Sequence, residues 1–272
     1  MTKTAIITGI SSGMGHAAAL YFKENGFEVY GGARRMNMMQ DLAEAGIHVQ
    51  ELDLTDKISI RQLVDRTVKE AGQVDVLINN AGYGEFGPIE EVPTEKARRQ
   101  FEVNLFGANE ITQLVLPVMR RQGFGRIVNI SSIGGDLYMP LGGWYHATKA
   151  GLDMWSDVLD MEVKQFGIRS VVVQPGGTDT EWGSIAMETA KKNLEENSPY
   201  TKLVDKISGS LDSASNSRMA GASAEDLAKL FYRAATDIKP KRRYFNSVGD
   251  HAAVIFSRTM PNAYRALVSR FI

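Results

Sequence analysis

The sequence predicts an α/β protein built on a doubly wound parallel sheet. Short apolar runs of strand length alternate with longer helical stretches through the first two thirds of the chain. These runs are continuously apolar, as expected for parallel strands covered by helices on both faces, and right-handed crossovers then give the doubly wound arrangement. The length of 272 residues, 43% of them hydrophobic, is compatible with a single domain and its core.

Six strands and the helices between them can be placed from this alternation. The strands are expected at 4–8, 27–30, 47–50, 74–79, 126–130 and 168–173. The first helix is expected to follow the glycines after the first strand and to run through 17–22. Further helices are expected at 56–70, 94–120 and about 144–166. Nearer the end of the chain, a helix at 224–235 and a short strand at 242–245 are expected.

The composition changes after the sixth strand. Residues 181–222 are rich in Ser, Asn, Lys and Glu and have weak helical periodicity. We therefore expect a mobile insertion over one end of the sheet, a substrate lid, and not a second domain. The tail from Asp250 to Ile272 is amphipathic, and packing on the core is favoured over contact with a membrane. The chain, 1–272, is thus expected to be one domain with a lid at 181–222.

Composition and charge exclude several classes of function. Thirty-one basic and 32 acidic residues give a formal charge of −1, which leaves no basic surface for nucleic acid. The absence of cysteine excludes disulfides, thiolate metal sites and a cysteine nucleophile, and the four histidines have no metal-ligand spacing. No apolar run approaches the ~18 residues of a transmembrane helix, and the first strand begins too early for a signal peptide. A cytoplasmic protein without a transmembrane segment is expected.

A glycine-rich turn follows the first strand and opens the first helix. It reads Thr8-Gly9-Ile10-Ser11-Ser12-Gly13-Met14-Gly15. Glycines permit a tight turn, let the backbone approach a pyrophosphate, and expose the amides of a positively polarised helix N-terminus. Between a strand and a helix, at the start of an alternating α/β chain, the turn predicts a dinucleotide site and a Rossmann fold.

The end of the second strand indicates which dinucleotide is bound. An NAD site of this kind usually has an acidic residue there, but this sequence has Gly31-Gly32-Ala33-Arg34-Arg35. A guanidinium can hold a ribose 2′-phosphate with two charge-assisted hydrogen bonds. Arg34 is the candidate, assisted by the hydroxyls of Ser11 and Ser12, and NADP(H) is expected to be preferred over NAD(H). The alternative is that both arginines are solvated loop residues, above all Arg35.

Tyr145 and Lys149 are four residues apart on a predicted helix and share one face, with Ser132 thirteen residues upstream of Tyr145. Free tyrosine has a pKa near 10, and a cation within about 4–6 Å can lower it by about 1–3 units. Lys149 and an oxidised nicotinamide ring could together bring the phenol towards neutrality, while Ser132 bonds the substrate oxygen. The alternative is an amphipathic helix with a solvated surface lysine.

Taken together, these motifs resemble the short-chain dehydrogenase/reductase family, in its single-domain branch, along nearly the whole chain. The glycine turn matches the family's Thr-Gly-x-x-x-Gly-x-Gly, and Asn79-Asn80-Ala81-Gly82 matches its Asn-Asn-Ala-Gly strand end. Asp53 is similar to the acid that contacts the adenine, and the stretch from Pro175 to Thr180 to the one beside the nicotinamide. The resemblance implies cofactor contacts from Gly9, Ser11, Ser12, Gly13, Met14, Gly15, Arg34, Asp53, Leu54, Asn80, Ala81, Gly82, Tyr145, Lys149, Pro175, Gly176, Thr178 and Thr180.

The resemblance also implies a catalytic set of Asn104, Ser132, Tyr145 and Lys149. The implied reaction interconverts an alcohol and a ketone or aldehyde by hydride exchange with NADP(H). Tyr145 would be the acid/base, and Asn104 would anchor a proton-relay water. An expected homodimer or homotetramer, formed through the helices at 94–120 and 144–166, also rests on the resemblance alone.

The substrate is expected to be a sizeable apolar carbonyl compound or alcohol, because the candidate pocket is apolar, aromatic and Met-containing. Its candidate residues are Gly134, Leu137, Tyr138, Leu141, Trp144, Trp182 and Met187. The Ser-Ile-Gly-Gly stretch and the long insertion are somewhat like those of hydroxysteroid and retinol dehydrogenases. For Trp144 and Trp182, the alternative is that the indoles brace the core.

Two other functions remain as alternatives. One is a catalytically slow NADPH-binding regulatory protein, against which the intact Ser-Tyr-Lys set argues. The other is a sugar-nucleotide epimerase or dehydratase, which shares Tyr-x-x-x-Lys but normally has a different glycine spacing and a larger C-terminal domain.

Overall fold

Parallel strands form one sheet in the computed structural model of the chain, which describes residues 2–178, 182–215 and 221–271. Within these ranges, seven strands are ordered β3-β2-β1-β4-β5-β6-β7, and every neighbouring pair is parallel. The strands are β1 (Thr4–Thr8), β2 (Glu28–Ala33), β3 (His48–Glu51), β4 (Val76–Asn79), β5 (Gly125–Ile130), β6 (Ile168–Gln174) and β7 (Arg243–Phe245). The predicted fold class is therefore confirmed.

Helices connect the strands, as expected from the alternating pattern. They are α1 (Gly13–Glu24), α2 (Gln40–Glu44), α3 (Lys57–Ala71), α4 (Thr94–Phe101), α5 (Gly107–Gln122), α6 (Gly143–Val163), α7 (Trp182–Lys192), α8 (Thr201–Ser215), α9 (Ala224–Thr236), α10 (Val248–Thr259) and α11 (Pro261–Val268). The helix predicted at 94–120 is divided into α4 and α5 by a π-helical turn, Glu102–Phe106.

Two apolar layers cover the sheet. On one face, α1 and α9 bring Phe22 and Phe231 onto the central strands. On the other, α3, α5 and α6 contribute Leu63, Ile111 and Leu159. The central strands β1, β4 and β5 are buried along their whole length, which explains the apolar runs of the sequence there.

The strand order reverses direction at β1, which lies between β2 and β4. In open α/β sheets, a ligand crevice forms at such a switch point, outside the carboxyl ends of the strands. Here these ends are Thr8 of β1 and Asn79 of β4, and the candidate site is built around them.

The segment after β6 is largely helical, in contrast to the weak helical periodicity of its sequence. Helices α7 and α8 form a third apolar cluster with Tyr145 of α6 and with Phe86 and Leu141. The tail forms α10 and α11, and Val254 of α10 is buried. In the part of the chain that the structure describes, no helix is both long and apolar enough to cross a membrane.

Candidate active site

The glycine-rich turn is fastened to the end of β4. The hydroxyl oxygen of Thr8 accepts hydrogen bonds from the backbone N–H groups of Asn80 (3.1 Å) and Ala81 (3.0 Å). In return, the Asn80 side-chain amide donates to the carbonyl of Thr8 (2.9 Å). A Cβ atom at Gly9, where φ is +76°, would lie 2.8 Å from the Ala81 Cα. Glycine is therefore required for this close approach.

The start of α1 fits an anionic group. Ser12 precedes the helix but makes no side-chain cap hydrogen bond, and the first turn of α1 has no acidic residue. Gly13, with φ +57°, leaves open space where a Cβ atom would point. The first N–H groups of a helix have no intrahelical partner and carry the positive end of the helix dipole. The residues present thus fit the pyrophosphate of a dinucleotide.

Arg35, and not Arg34, contacts the serines of this turn. Its guanidinium donates hydrogen bonds to the hydroxyls of Ser11 (3.2 Å) and Ser12 (3.0 Å). The second arginine lies beside these hydroxyls because the chain turns after β2, and the assistance of Arg34 by the two serines stays a prediction.

Arg34 lies on the other side, near Asp53. Burial opposes ionisation of Asp53, but hydrogen bonds from Thr55 and the charge of Arg34 hold the pKa of this carboxyl below its usual value. Both the backbone N–H (2.9 Å) and the hydroxyl (2.8 Å) of Thr55 donate to Asp53. The two arginines thus flank the end of β2, one towards the glycine turn and the other towards Asp53.

The phenol of Tyr145 is buried, with 6% of the residue exposed. Burial raises its pKa to about 12, and a hydrogen bond with the Ser132 side chain acts in the opposite direction. The expected lowering towards neutrality is not found in the protein alone, because loss of solvation outweighs the Ser132 hydrogen bond and the charge of Asp153 also raises the pKa. Ser132 is held in place by its own turn, since its hydroxyl oxygen accepts from the Gly134 N–H at 3.0 Å.

Lys149 is buried to the same extent and is not a solvated surface lysine. Its ammonium donates to the carbonyl of Ile130 (2.9 Å) and lies 5.8 Å from the centre of the Tyr145 ring. Burial lowers the pKa of Lys149 to about 8, while the charge of Asp153 raises it. The predicted pair therefore shares one buried face of α6, as its spacing indicated.

Asn104 lies in the π-helical turn between α4 and α5. Its side chain bonds both backbone groups of Tyr83, accepting from the N–H (3.0 Å) and donating to the carbonyl (2.8 Å). A Cβ atom at Gly82 would lie 3.1 Å from the Asn104 side-chain oxygen and 3.7 Å from the Lys149 nitrogen. The structure thus brings Asn104, Gly82 and Lys149 together at the end of β4.

Apolar side chains cover Tyr145. The third cluster joins it to Leu141 and Met187, two of the predicted pocket residues; the remaining buried members are Phe86, Ala186, Ala190, Val204 and Ile207. Gly134 also adjoins the site, since a Cβ atom there would lie 3.2 Å from the Tyr145 ring.

Other predicted pocket residues lie elsewhere. Trp144 lines a groove of about 310 Å³ along α4, away from the cluster around Tyr145, because it is on another face of α6. Tyr138 is exposed, and its backbone N–H and carbonyl both bond the hydroxyl of Tyr264. Leu137 is half-buried in the turn after Ser132.

The remaining cofactor candidates differ in their surroundings. The side chains of Leu54 and Met14 pack into the apolar layers. A Cβ atom at Gly15 would lie 2.3 Å from the Asn80 side-chain nitrogen. After β6, the carbonyl of Pro175 accepts from the Ser132 hydroxyl (3.4 Å), the Gly176 N–H donates to Asn246 (2.7 Å), and Thr178 pairs with Ala222. Thr180 and the side chain of Trp182 lie outside the described residues.

Several polar residues at the site were not anticipated from the sequence. His146 donates from Nδ1 to the Gly134 carbonyl (2.8 Å) and accepts at Nε2 from the Met139 N–H (3.2 Å). Asp153 is buried one helical turn after Lys149, and Gln174 donates to it at 2.8 Å. The spacing of four residues from Lys149 is the sequence signal that could have identified Asp153.

Comparison with known proteins agrees with this geometry. Residues 3–191 match the short chain dehydrogenase family. The chain is 31% identical over 277 residues to the uncharacterized oxidoreductase YusZ of Bacillus subtilis, with 98% of each chain covered. It is 38% identical over 191 residues to a 3-ketodihydrosphingosine reductase of Bacteroides thetaiotaomicron, covering 70% of this chain and 67% of that protein.

Among solved structures, a short-chain dehydrogenase from Streptomyces avermitilis superimposes with a TM-score of 0.80 at 31% identity, with 99% of this chain and 96% of that chain covered. The protein belongs to the short-chain dehydrogenase family. It is thus an oxidoreductase of a family that uses a nicotinamide cofactor and small-molecule substrates.

Proposed function

We propose that the protein is an NADP(H)-dependent reductase of apolar ketones or aldehydes that uses Tyr145 as its proton donor. The observation that carries this proposal is the buried hydroxyl of Tyr145, hydrogen-bonded to Ser132 and covered by apolar side chains.

Each member of the site has a distinct role. Ser132 bonds the carbonyl oxygen of the substrate, and Tyr145 gives that oxygen its proton. When bound, the nicotinamide supplies or accepts the hydride. Because burial raises the pKa of Tyr145 to about 12, the phenol keeps its proton at neutral pH, which suits carbonyl reduction. Lys149 holds a positive charge beside the phenol and favours the phenolate left after proton transfer. Asn104 keeps the Gly82–Tyr83 segment against Lys149 and is proposed to position the water that resupplies the proton.

Preference for NADP(H) over NAD(H) is supported by the charges at the end of β2. Arg34 and Arg35 are both exposed there, and Arg35 adjoins two serine hydroxyls of the glycine turn. Guanidinium and hydroxyl groups together can bond a 2′-phosphate, and β2 itself ends in Ala33 without a carboxylate.

The substrate class is suggested by the apolar side chains that cover Tyr145. Phe86, Leu141 and Met187 contribute no charge, and a charged substrate would leave its charge unpaired among them. The relative from Bacteroides thetaiotaomicron, named for 3-ketodihydrosphingosine, makes a long-chain ketone a useful test compound. We propose that α7 and α8 form the lid that shields this substrate from water.

The proposal is tested by NADPH oxidation against a panel of carbonyl compounds. The panel contains 3-ketodihydrosphingosine, medium-chain aldehydes, a diketone, a steroid ketone and retinal, with a small charged 2-keto acid for contrast. We expect turnover with at least one apolar compound and none with the keto acid. Tight NADPH binding without turnover on any compound would instead favour a cofactor-binding regulatory protein.

Assembly into a homodimer or homotetramer is also proposed, and an apolar stripe on α6 supports it. Met154 and Met161 are 66% and 72% exposed, and Val158 between them is 42% exposed. Their spacing of three and four residues places them on one helix face. A neighbouring subunit would remove this stripe from water.

A further inference from the structure

A buried group of charged side chains lies beneath the proposed proton donor. Asp153 is on α6, one helical turn after Lys149 and two after Tyr145, and only 5% of it is exposed. Its charge acts on both residues, raising the pKa of each. Since all three lie on the buried face of one helix, Asp153 is coupled to both members of the site.

Asp153 is also joined to the turn that carries Ser132. The side-chain nitrogen of Gln174 donates to Asp153 (2.8 Å) and to Asp136 (2.6 Å), and it lies 3.4 Å from the Ser132 carbonyl oxygen. One amide at the end of β6 therefore connects α6 with both ends of the Ser132 turn.

The turn leaves room for this carboxylate only because residue 135 is glycine. A Cβ atom at Gly135 would lie 2.3 Å from a carboxylate oxygen of Asp153. Gly135 on one side and the Gln174 hydrogen bond on the other therefore fix the position of the Asp153 carboxylate.

The charges around Asp153 come from every element packed on it. Lys149 and Tyr145 face it from α6, Asp136 from the turn after β5, and Arg243 from β7. Burial raises the pKa of Asp153 to about 6, and Arg243 opposes this effect. Asp153 is therefore ionised at and above neutral pH, where Lys149 titrates.

On this arrangement, and on the function proposed above, we infer that Asp153 is a positioning residue that keeps Lys149 charged and holds it in register with Ser132. A buried ammonium tends to lose its proton, and a nearby carboxylate opposes that loss. Lys149 can act on the Tyr145 phenol only while it is charged. In reduction, both groups must be protonated, so the carboxylate extends the pH range of activity on its alkaline side.

The test measures the titration of Lys149 directly. Protein labelled with ¹³C at the lysine ε-carbon is titrated by NMR, and the Lys149 signal is assigned as the one that disappears in Lys149→Arg. In Asp153→Asn, we expect the midpoint of Lys149 to fall by about 1 unit or more. The matched control is Asp160→Asn on the same helix, whose carboxylate pairs with Arg169 and Ser170 instead.

In Asp153→Asn, the alkaline limb of the pH profile for NADPH oxidation should also move to lower pH. Asp153→Glu, which keeps the carboxylate, should show a smaller shift. An unchanged Lys149 midpoint in Asp153→Asn overturns the inference, even if the variant is less stable. If Asp153→Asn fails to fold, the smaller neutral variant Asp153→Ser gives the same comparison. Because the NMR titration needs no turnover, failure of the proposed reductase activity is seen separately in the carbonyl panel.

Discussion

The guanidinium of Arg35 lies 3.0 Å from the hydroxyl of Ser12 and bonds it across the mouth of the glycine turn. This contact places a positive charge where α1 begins, whereas the charge of Arg34 acts on Asp53. The two arginines can therefore be separated by experiment.

Arg35→Ala is expected to raise the apparent KM for NADPH by about 10-fold or more, since a hydrogen bond to a charged group contributes about 1.5–3 kcal/mol. The KM for NADH should change little, because NADH has no 2′-phosphate. Steady-state kinetics with both cofactors measures this, with Arg34→Ala in parallel and Arg169→Ala at the other end of the sheet as the control. Equal increases for NADPH and NADH would refute the assignment.

Tyr145→Phe is expected to lower kcat by about 10²–10⁴-fold, the usual contribution of a positioned acid or base. NADPH binding, measured by fluorescence, should stay within about 2-fold of the wild type because the ring remains. Tyr138→Phe is the matched control, since Tyr138 bonds Tyr264 through its backbone and not its hydroxyl. Near-normal turnover of Tyr145→Phe would contradict the proposed mechanism.

Asn193, at the end of α7, anchors the proposed lid. Its amide donates to the Glu85 carboxylate (2.8 Å) and the Phe86 carbonyl (2.7 Å) and accepts from Lys96 (2.6 Å). Asn193→Leu removes these three hydrogen bonds, one of them to the buried carboxylate of Glu85, and should lower the free energy of unfolding by about 1–3 kcal/mol.

The same variant should raise the KM for the carbonyl substrate, because Met187 then covers Tyr145 less well, while the Kd for NADPH stays constant. Denaturant unfolding and kinetics together check this. Glu188→Gln, an exposed change on the same helix, is the control. If the KM for the carbonyl substrate and the Kd for NADPH rise by the same factor, α7 does not act as a lid over the substrate.

Replacing Met154 and Met161 together by Glu should convert an oligomer of this protein into monomers. Charges on the apolar stripe would be buried without partners at the interface, which costs several kcal/mol. Sedimentation velocity measures the change, and Ile255→Glu, at an exposed apolar residue of α10, is the control. A wild-type monomer at micromolar concentration would disprove the proposed assembly.

The sequence predicted the centre of the sheet well because β1, β4 and β5 are buried along their whole length and have no competing pattern. The β1 prediction, at 4–8, agrees with the structure, as does the start of α6 before Tyr145. The π-helical turn around Asn104 could not be predicted, because it depends on tertiary bonds from that side chain to Tyr83. The helical periodicity of the sequence continues through this π-helical turn unchanged.

At the site, Tyr145 and Lys149 were predicted from local spacing, and most of the residues that were missed act through contacts distant in sequence; Asp153, one helical turn after Lys149, is the exception. Tyr145 and Lys149 follow from a helical interval. The contacts of Arg35 with Ser11 and Ser12 were not predicted, because the direction of a side chain after β2 depends on how the loop turns. Asn193 bonds residues more than 100 positions away, so no local pattern marks it.

The close contact between Gly135 and Asp153 also bears on how such chains can diverge. Any side chain at position 135 would occupy the space of the carboxylate, so positions 135 and 153 are expected to change as a pair. A relative with alanine at the first position should have a shorter residue at the second, and with it a narrower alkaline range.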